Sequence, residues 1–232
     1  MNEIITIQFG GKIPTKLFKF RCDIEDYENV WEKEYIAELI STLKKGMVVY
    51  DIGAENGELS VLVGNIVGGE NVHIFEPNHE YFPNIKTIWE ANGLSYPANC
   101  FNGYVSDKTS DEIVCTHLNF VKGEIFHGCE HYNPSARPMQ TISLDDYCQV
   151  FPSPDVVMMD IEGAELSAIR GADDLLKHKS PIFFISIHKP FFIQDRSNGT
   201  KEDLIKIFTD NGYKAIHIST DHEEHWKFEK EK

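Results

Sequence analysis

Positive charge is in short supply in this 232-residue chain: 22 lysines and arginines stand against 37 aspartates and glutamates, a formal net charge of −15. Phosphate backbones are held by basic patches, and none stands out, so nucleic acid is excluded as a partner. Cysteine is sparse and unpaired in pattern. Cys22, Cys100, Cys115, Cys129 and Cys148 show no CxxC spacing, which excludes a disulfide framework and a four-cysteine zinc site and points to a reducing compartment. No apolar run reaches the roughly 18 to 20 residues of a membrane span, and the amino terminus lacks an apolar signal region, so a cytoplasmic location is expected. Internal repeats and low-complexity tracts are missing too. What the chain does have is 41% hydrophobic residues, enough at this length to bury one core, and a single domain over residues 1–232 is expected.

The most informative stretch is Met47 to Ser60, MVVYDIGAENGELS. Met47, Val48, Val49, Tyr50 and Ile52 make a nearly continuous apolar run, the pattern of a parallel strand covered on both faces. Asp51 interrupts it near its carboxyl end, where ligands of open α/β sheets bind. Gly53 and Gly57 then permit a tight turn and close approach of a ligand to the backbone.

Around this unit, residues 1–22 alternate weakly about Gly10-Gly11, which predicts a hairpin beside the main sheet, and residues 24–43 predict a covering helix closed by Lys44-Lys45-Gly46. Helices are expected over 59–67, from near Pro83 to Asn92-Gly93, from about Ala164, and over 201–211. Strands are expected over 72–75, 101–105, 156–159, 182–187 and 214–218. Strands alternating with helices at this spacing define a doubly wound, mostly parallel α/β sheet, with a cofactor-binding core over 46–220. Residues 108–141 are long, polar and aperiodic, the character of an acceptor-binding loop, with Phe120, Phe126 and Tyr132 among its candidate contacts.

DIGAENG at the first turn, DIEGAEL at 160–166 and ISIH at 185–188 together resemble the FkbM family of class I S-adenosylmethionine-dependent methyltransferases, a likeness that runs from Tyr27 to Ile218. The resemblance implies a Rossmann-like fold, S-adenosylmethionine as cofactor, and O-methylation of a hydroxyl on a sugar, glycan or other small-molecule natural product. It assigns Glu76, which ends the second strand, to the ribose hydroxyls. Asp107 is placed by analogy at the adenine amino group, and Asp51, Gly53 and Gly57 face the methionine portion. Glu55 departs from the family pattern and adds negative charge at that end. Asp160 and Glu162, matched within DIEGAEL, and His188, matched within ISIH, are the candidate catalytic residues. Two routes to acceptor activation stay open. In the preferred one His188 takes the hydroxyl proton while Asp160 or Glu162 orients it; in the other Asp160, with Glu162, holds a divalent cation such as Mg or Mn. The bland reading of Glu162 and Glu165 is that they flank a helix amino end, where negative charge is favourable.

Two further patterns carry less weight. His127-Gly128-Cys129-Glu130-His131 spaces metal-ligating groups on alternate residues, but ten histidines make chance clustering the simpler explanation. Asn198-Gly199-Thr200 matches a glycosylation acceptor and reads as a turn. Two other function classes compete: a nucleotide-sugar or NAD-dependent enzyme, whose GxGxxG fingerprint is broken here by Glu55, and a binding module that keeps the fold without the chemistry.

Overall fold

The computed structural model describes residues 3–19, 32–111, 118–121, 124–127 and 140–230. Its first element is a hairpin of β1 (Ile4–Phe9) and β2 (Ile13–Phe18), followed after an interval by helix α1 (Lys33–Thr42). The remaining elements in chain order are β3 (Val49–Ile52), α2 (Glu58–Val67), β4 (Val72–Phe75), α3 (Phe82–Ala91), β5 (Asn99–Phe101), β6 (Tyr104–Val105), β7 (Leu118–Val121), β8 (Glu124–His127), β9 (Thr141–Ile142) and α4 (Leu144–Tyr147). They continue through β10 (Val156–Met159), α5 (Glu165–Arg170), β11 (Ile182–Ile187), α6 (Pro190–Ser197), α7 (Lys201–Asp210), β12 (Tyr213–Thr220) and β13 (Glu224–Lys230).

Seven strands form the main sheet in the order β12-β13-β11-β10-β3-β4-β5. The five from β11 to β5 run parallel, and β13 lies antiparallel between β11 and β12. Strands β3, β4 and β10 are buried at every position, which is why each reads as a nearly continuous apolar run, interrupted by Asp51 in β3 and His73 in β4, rather than an alternating one. One face packs on α1, α2, α3 and the hairpin through residues such as Leu39, Val61, Ile85 and Trp89; the other packs on α4, α5 and α7 through Tyr147, Leu166, Phe183 and Phe208. From β3 the chain moves to β4 on one side, while β10 lies on the other, and the crevice at that reversal is where the carboxyl ends of β3, β4 and β10 open.

Four details differ from the sequence expectations. The hairpin does not sit beside the sheet but lies on the helices: the Lys16 N–H donates to Asn92 Oδ1 at the end of α3 (2.9 Å), and the Asn92 amide donates back to the Lys16 carbonyl (2.9 Å). The expected strand over 101–105 divides, because β5 ends at Phe101 and β6 leaves the sheet to pair with β9. Helix α6 and strand β13 have no counterpart in the sequence reading. The histidine-cysteine pattern at 127–131 falls almost wholly outside the described residues, as do residues 24–31 of the expected first helix and, for the 108–141 loop, Tyr132 and the side chains of Phe120 and Phe126.

Candidate active site

The turn after β3 is pressed against the end of β10, and this contact fixes the site. Gly53 has φ 88°, and a Cβ there would collide with the Asp160 carbonyl oxygen, so only glycine lets the first turn close on the fourth parallel strand. Two residues on, Glu55 stands where a dinucleotide fingerprint has its middle glycine, and it adopts the left-handed backbone itself (φ 47°). Glu162 does the same at the end of β10 (φ 59°). Non-glycine residues held there cost on the order of 1–3 kcal/mol each, and such strain gathers at functional sites.

Two cavities open at this crevice. The larger, of about 810 Å³, is walled by Phe75, Glu76, Pro77, Tyr81, Gly103, Tyr104, Ser106, Thr141, Ser167 and Arg196. The smaller, of about 230 Å³, is walled by Glu32, Tyr35, Asp51, Ala54, Glu58, Met158, His222 and Glu223. Gly53, Glu55, Asp160 and Glu162 line both and stand at their junction. Among the described residues, the smaller cavity gathers seven carboxylate side chains and no lysine or arginine. Packing so many acids around one void makes it a receptor for positive charge.

Most residues named from the sequence meet here. Asp51 is buried and accepts a short hydrogen bond from the Ser60 hydroxyl; burial pushes its carboxyl up to about 6, with the Ser60 bond working the other way. Glu76 is buried at the end of β4. Its Oε2 accepts from the Glu55 N–H (2.9 Å) and its Oε1 from the Asn78 N–H (2.7 Å), which clamps the carboxylate in one orientation at the wall of the larger cavity. Gly57 caps α2 with φ 84°, starting the helix directly behind the turn. Asp107 is the exception: it follows β6 rather than a strand of the main sheet, and it is not among the residues lining either cavity, whereas its neighbour Ser106 is.

His188, at the end of β11, is 7% exposed and sits in a nest of acids. Its Nδ1 pairs with Glu165 Oε1 at 2.9 Å, and Glu165, itself 1% exposed, is steadied by the Gly163 N–H (3.0 Å). On the other side of the ring, Nε2 lies 3.3 Å from Glu223 Oε1, 3.4 Å from Glu162 Oε2 and 3.7 Å from Asp160 Oδ1. Burial acts to lower the His188 pKa, but the Glu165 and Glu223 carboxylates outweigh it and raise it to about 10. Sequence reasoning missed Glu223, which arrives from the turn between β12 and β13 with no motif around it, and it read Glu165 only as a helix-flanking acid.

Comparison with known proteins places this geometry. The family model described as the methyltransferase FkbM domain matches residues 51–215. Among solved structures, an FkbM methyltransferase from Methylobacillus flagellatus KT superposes with a TM-score of 0.52 at 21% identity over 80% of this chain, which spans 44% of that protein's length. A precorrin-6y C5,15-methyltransferase from Geobacter metallireducens (TM-score 0.50, 15% identity, 86% of this chain and 88% of that one) shares the fold. So does Aeropyrum pernix fibrillarin, solved with natively bound S-adenosyl-L-methionine (TM-score 0.50, 12% identity, 99% of this chain and 100% of that one). No curated protein matches the sequence. With its central mostly parallel seven-stranded sheet and a family match that begins at Asp51 and runs to Ala215, the chain belongs to the FkbM methyltransferase domain family.

Proposed function

We propose that this protein is an S-adenosylmethionine-dependent O-methyltransferase acting on a hydroxyl of a sugar-like small molecule or glycan. The observation that carries this reading is the pair of cavities meeting at Gly53, Glu55, Asp160 and Glu162, with a clamped acid in one and an acid-walled void beside it. S-adenosylmethionine supplies a methyl group on a cationic sulfur. Its ribose diol donates two hydrogen bonds and suits Glu76, whose two oxygens are presented by backbone N–H groups. The ammonium suits the carboxylates around Asp51, and the glycine at position 53 leaves the backbone bare beside them. The residues therefore fit the cofactor by shape and by charge.

Asp160 lines both cavities, so its carboxylate stands where an acceptor hydroxyl would meet the cofactor, with Glu162 beside it to orient that oxygen. Among the described residues, the lining of the larger cavity includes the hydroxyl-bearing Tyr81, Tyr104, Ser106, Thr141 and Ser167, and Arg196 as its one lysine or arginine. That lining favours a polyhydroxylated acceptor over an apolar one. Calorimetry with S-adenosylmethionine and, separately, NAD tests the reading: one S-adenosylmethionine per chain and no NAD is expected. Glu76→Ala removes a charged hydrogen-bond acceptor worth about 1.5–3 kcal/mol, so affinity falls roughly ten- to a hundredfold. Unchanged affinity in a folded variant, or a preference for NAD, overturns the assignment.

A further inference from the structure

We infer that Asp160, His188 and Glu223 form a binding site for one first-row divalent cation, of which Mn²⁺ is the representative. One nitrogen and two carboxylate oxygens from these residues all lie within 4.8 Å of one another. Ligands held at about 2.1 Å from a shared ion sit roughly 3.0 Å apart in octahedral cis positions and about 3.4 Å apart in a tetrahedron. The 3.3 Å and 3.7 Å separations of His188 Nε2 from Glu223 and Asp160 fall close to that range.

A cluster of acids alone would carry nothing, but the histidine adds an independent sign. His188 is more than nine-tenths buried, and its Nε2 makes no hydrogen bond among the described residues although three carboxylates surround it. A buried polar atom left without a hydrogen bond is costly and marks a missing partner. Glu223 Oε2 is a second such atom in the same nest. On the far side of the ring, Nδ1 is fixed by Glu165, the carboxylate–histidine arrangement that orients metal-bound imidazoles and makes them better ligands. A mixed nitrogen and oxygen set favours a first-row ion over magnesium, and three protein ligands leave positions for water or an acceptor oxygen beside Glu162.

The role of the ion in turnover rests on the methyltransferase reading; its binding does not. The full chain, stripped with chelator, is titrated with Mn²⁺ and the free ion followed by electron paramagnetic resonance. One Mn²⁺ per chain is expected, with affinity falling at least tenfold in Glu223→Gln and in His188→Gln. Glu223 lies in a turn, so Glu223→Gln keeps the variant series interpretable should His188→Gln fail to fold. Absence of binding at millimolar Mn²⁺, or equal binding by wild type and Glu223→Gln, overturns the site. S-adenosylmethionine calorimetry in chelator is run beside it: cofactor binding without Mn²⁺ binding removes the metal site and leaves the proposed function standing, whereas Mn²⁺ binding without cofactor binding does the reverse.

Discussion

Asp51 shows how a single residue trades stability for a binding surface. Burial holds its carboxyl at about 6 against an ordinary 3.8, so its favourable contribution to folding is present below the ordinary value and is lost as pH rises through about 6. At pH 8 the native state holds a buried carboxylate that water would solvate better. Asp51→Asn removes that charge while keeping a partner for Ser60, so the variant is expected to melt higher than wild type at pH 8. A shift of about two pK units sets a ceiling near 3 kcal/mol on the gain. The difference should close as pH falls towards 4, and melting curves at both pH values check it; a gain independent of pH would assign the effect to packing instead. Cofactor affinity should drop in the same variant.

At this scale the site was legible only where chemistry and motif coincide. Asp51 stands one residue before the end of β3, and Glu76 and Asp160 directly follow β4 and β10, places where an acid stands out in the sequence. Glu165 and Glu223 could not be found the same way. The first opens a helix, where acids are commonplace, and the second sits in a run of Asp221, His222, Glu223 and Glu224, whose members the sequence cannot tell apart. Asp107 lies apart from the two cavities for a related reason: the expected strand over 101–105 stops at Phe101 in the main sheet, and the chain turns out of the sheet before reaching it.

Among the elements, the interior strands were readable because both faces are covered, which favours nearly continuous apolar runs. Strand β13 was not, since His225 and Lys227 break its apolar pattern. Both are buried and compensated, His225 by Ser186 (3.0 Å) and Lys227 by Glu38 (3.0 Å) and Glu229 (2.9 Å). Its anchor is Phe228, fully buried and stacked on Phe208 of α7 with ring centroids 4.0 Å apart. Phe228→Ala should cost about 3–5 kcal/mol, or roughly 6–20 °C in melting temperature for a chain of this size. Because β13 supports the turn that carries Glu223, affinity for Mn²⁺ should weaken with it. Differential scanning calorimetry gives the first number, and a loss below about 1 kcal/mol would mean that β12 and β13 are held by something other than this aromatic stack.

For the whole molecule, the excess of 15 negative charges acts on the fold as self-repulsion. Salt screens it: the Debye length shrinks from about 30 Å at 0.01 M to about 8 Å at 0.15 M. The melting temperature is therefore expected to rise between those two concentrations of sodium chloride, most clearly above pH 6, where Asp51 is ionised. A flat or falling curve would show that local ion pairs such as Lys201 with Glu224 outweigh the net charge. The fold class was legible from the alternation of strands and helices alone. The seat of the hairpin was not, because its weak alternation specifies a covered face without saying whether a sheet or a pair of helices does the covering.

The placement of β13 between β11 and β12 has a consequence for how the protein is made. While the chain emerges from the ribosome, β12 appears with no neighbour to pair with, since the slot between it and β11 belongs to a strand not yet synthesised. The sheet can be assembled only as far as β11, leaving that edge bare until residues 224–230 emerge and enter antiparallel. Glu223 arrives immediately before that strand, so a nascent chain carries the glycine turn and both motif acids well before it carries the last wall of the smaller cavity. Translation stalled before this point leaves a polypeptide with the glycine turn, DIEGAEL and ISIH in place, but with an open sheet edge and a pocket that lacks Glu223.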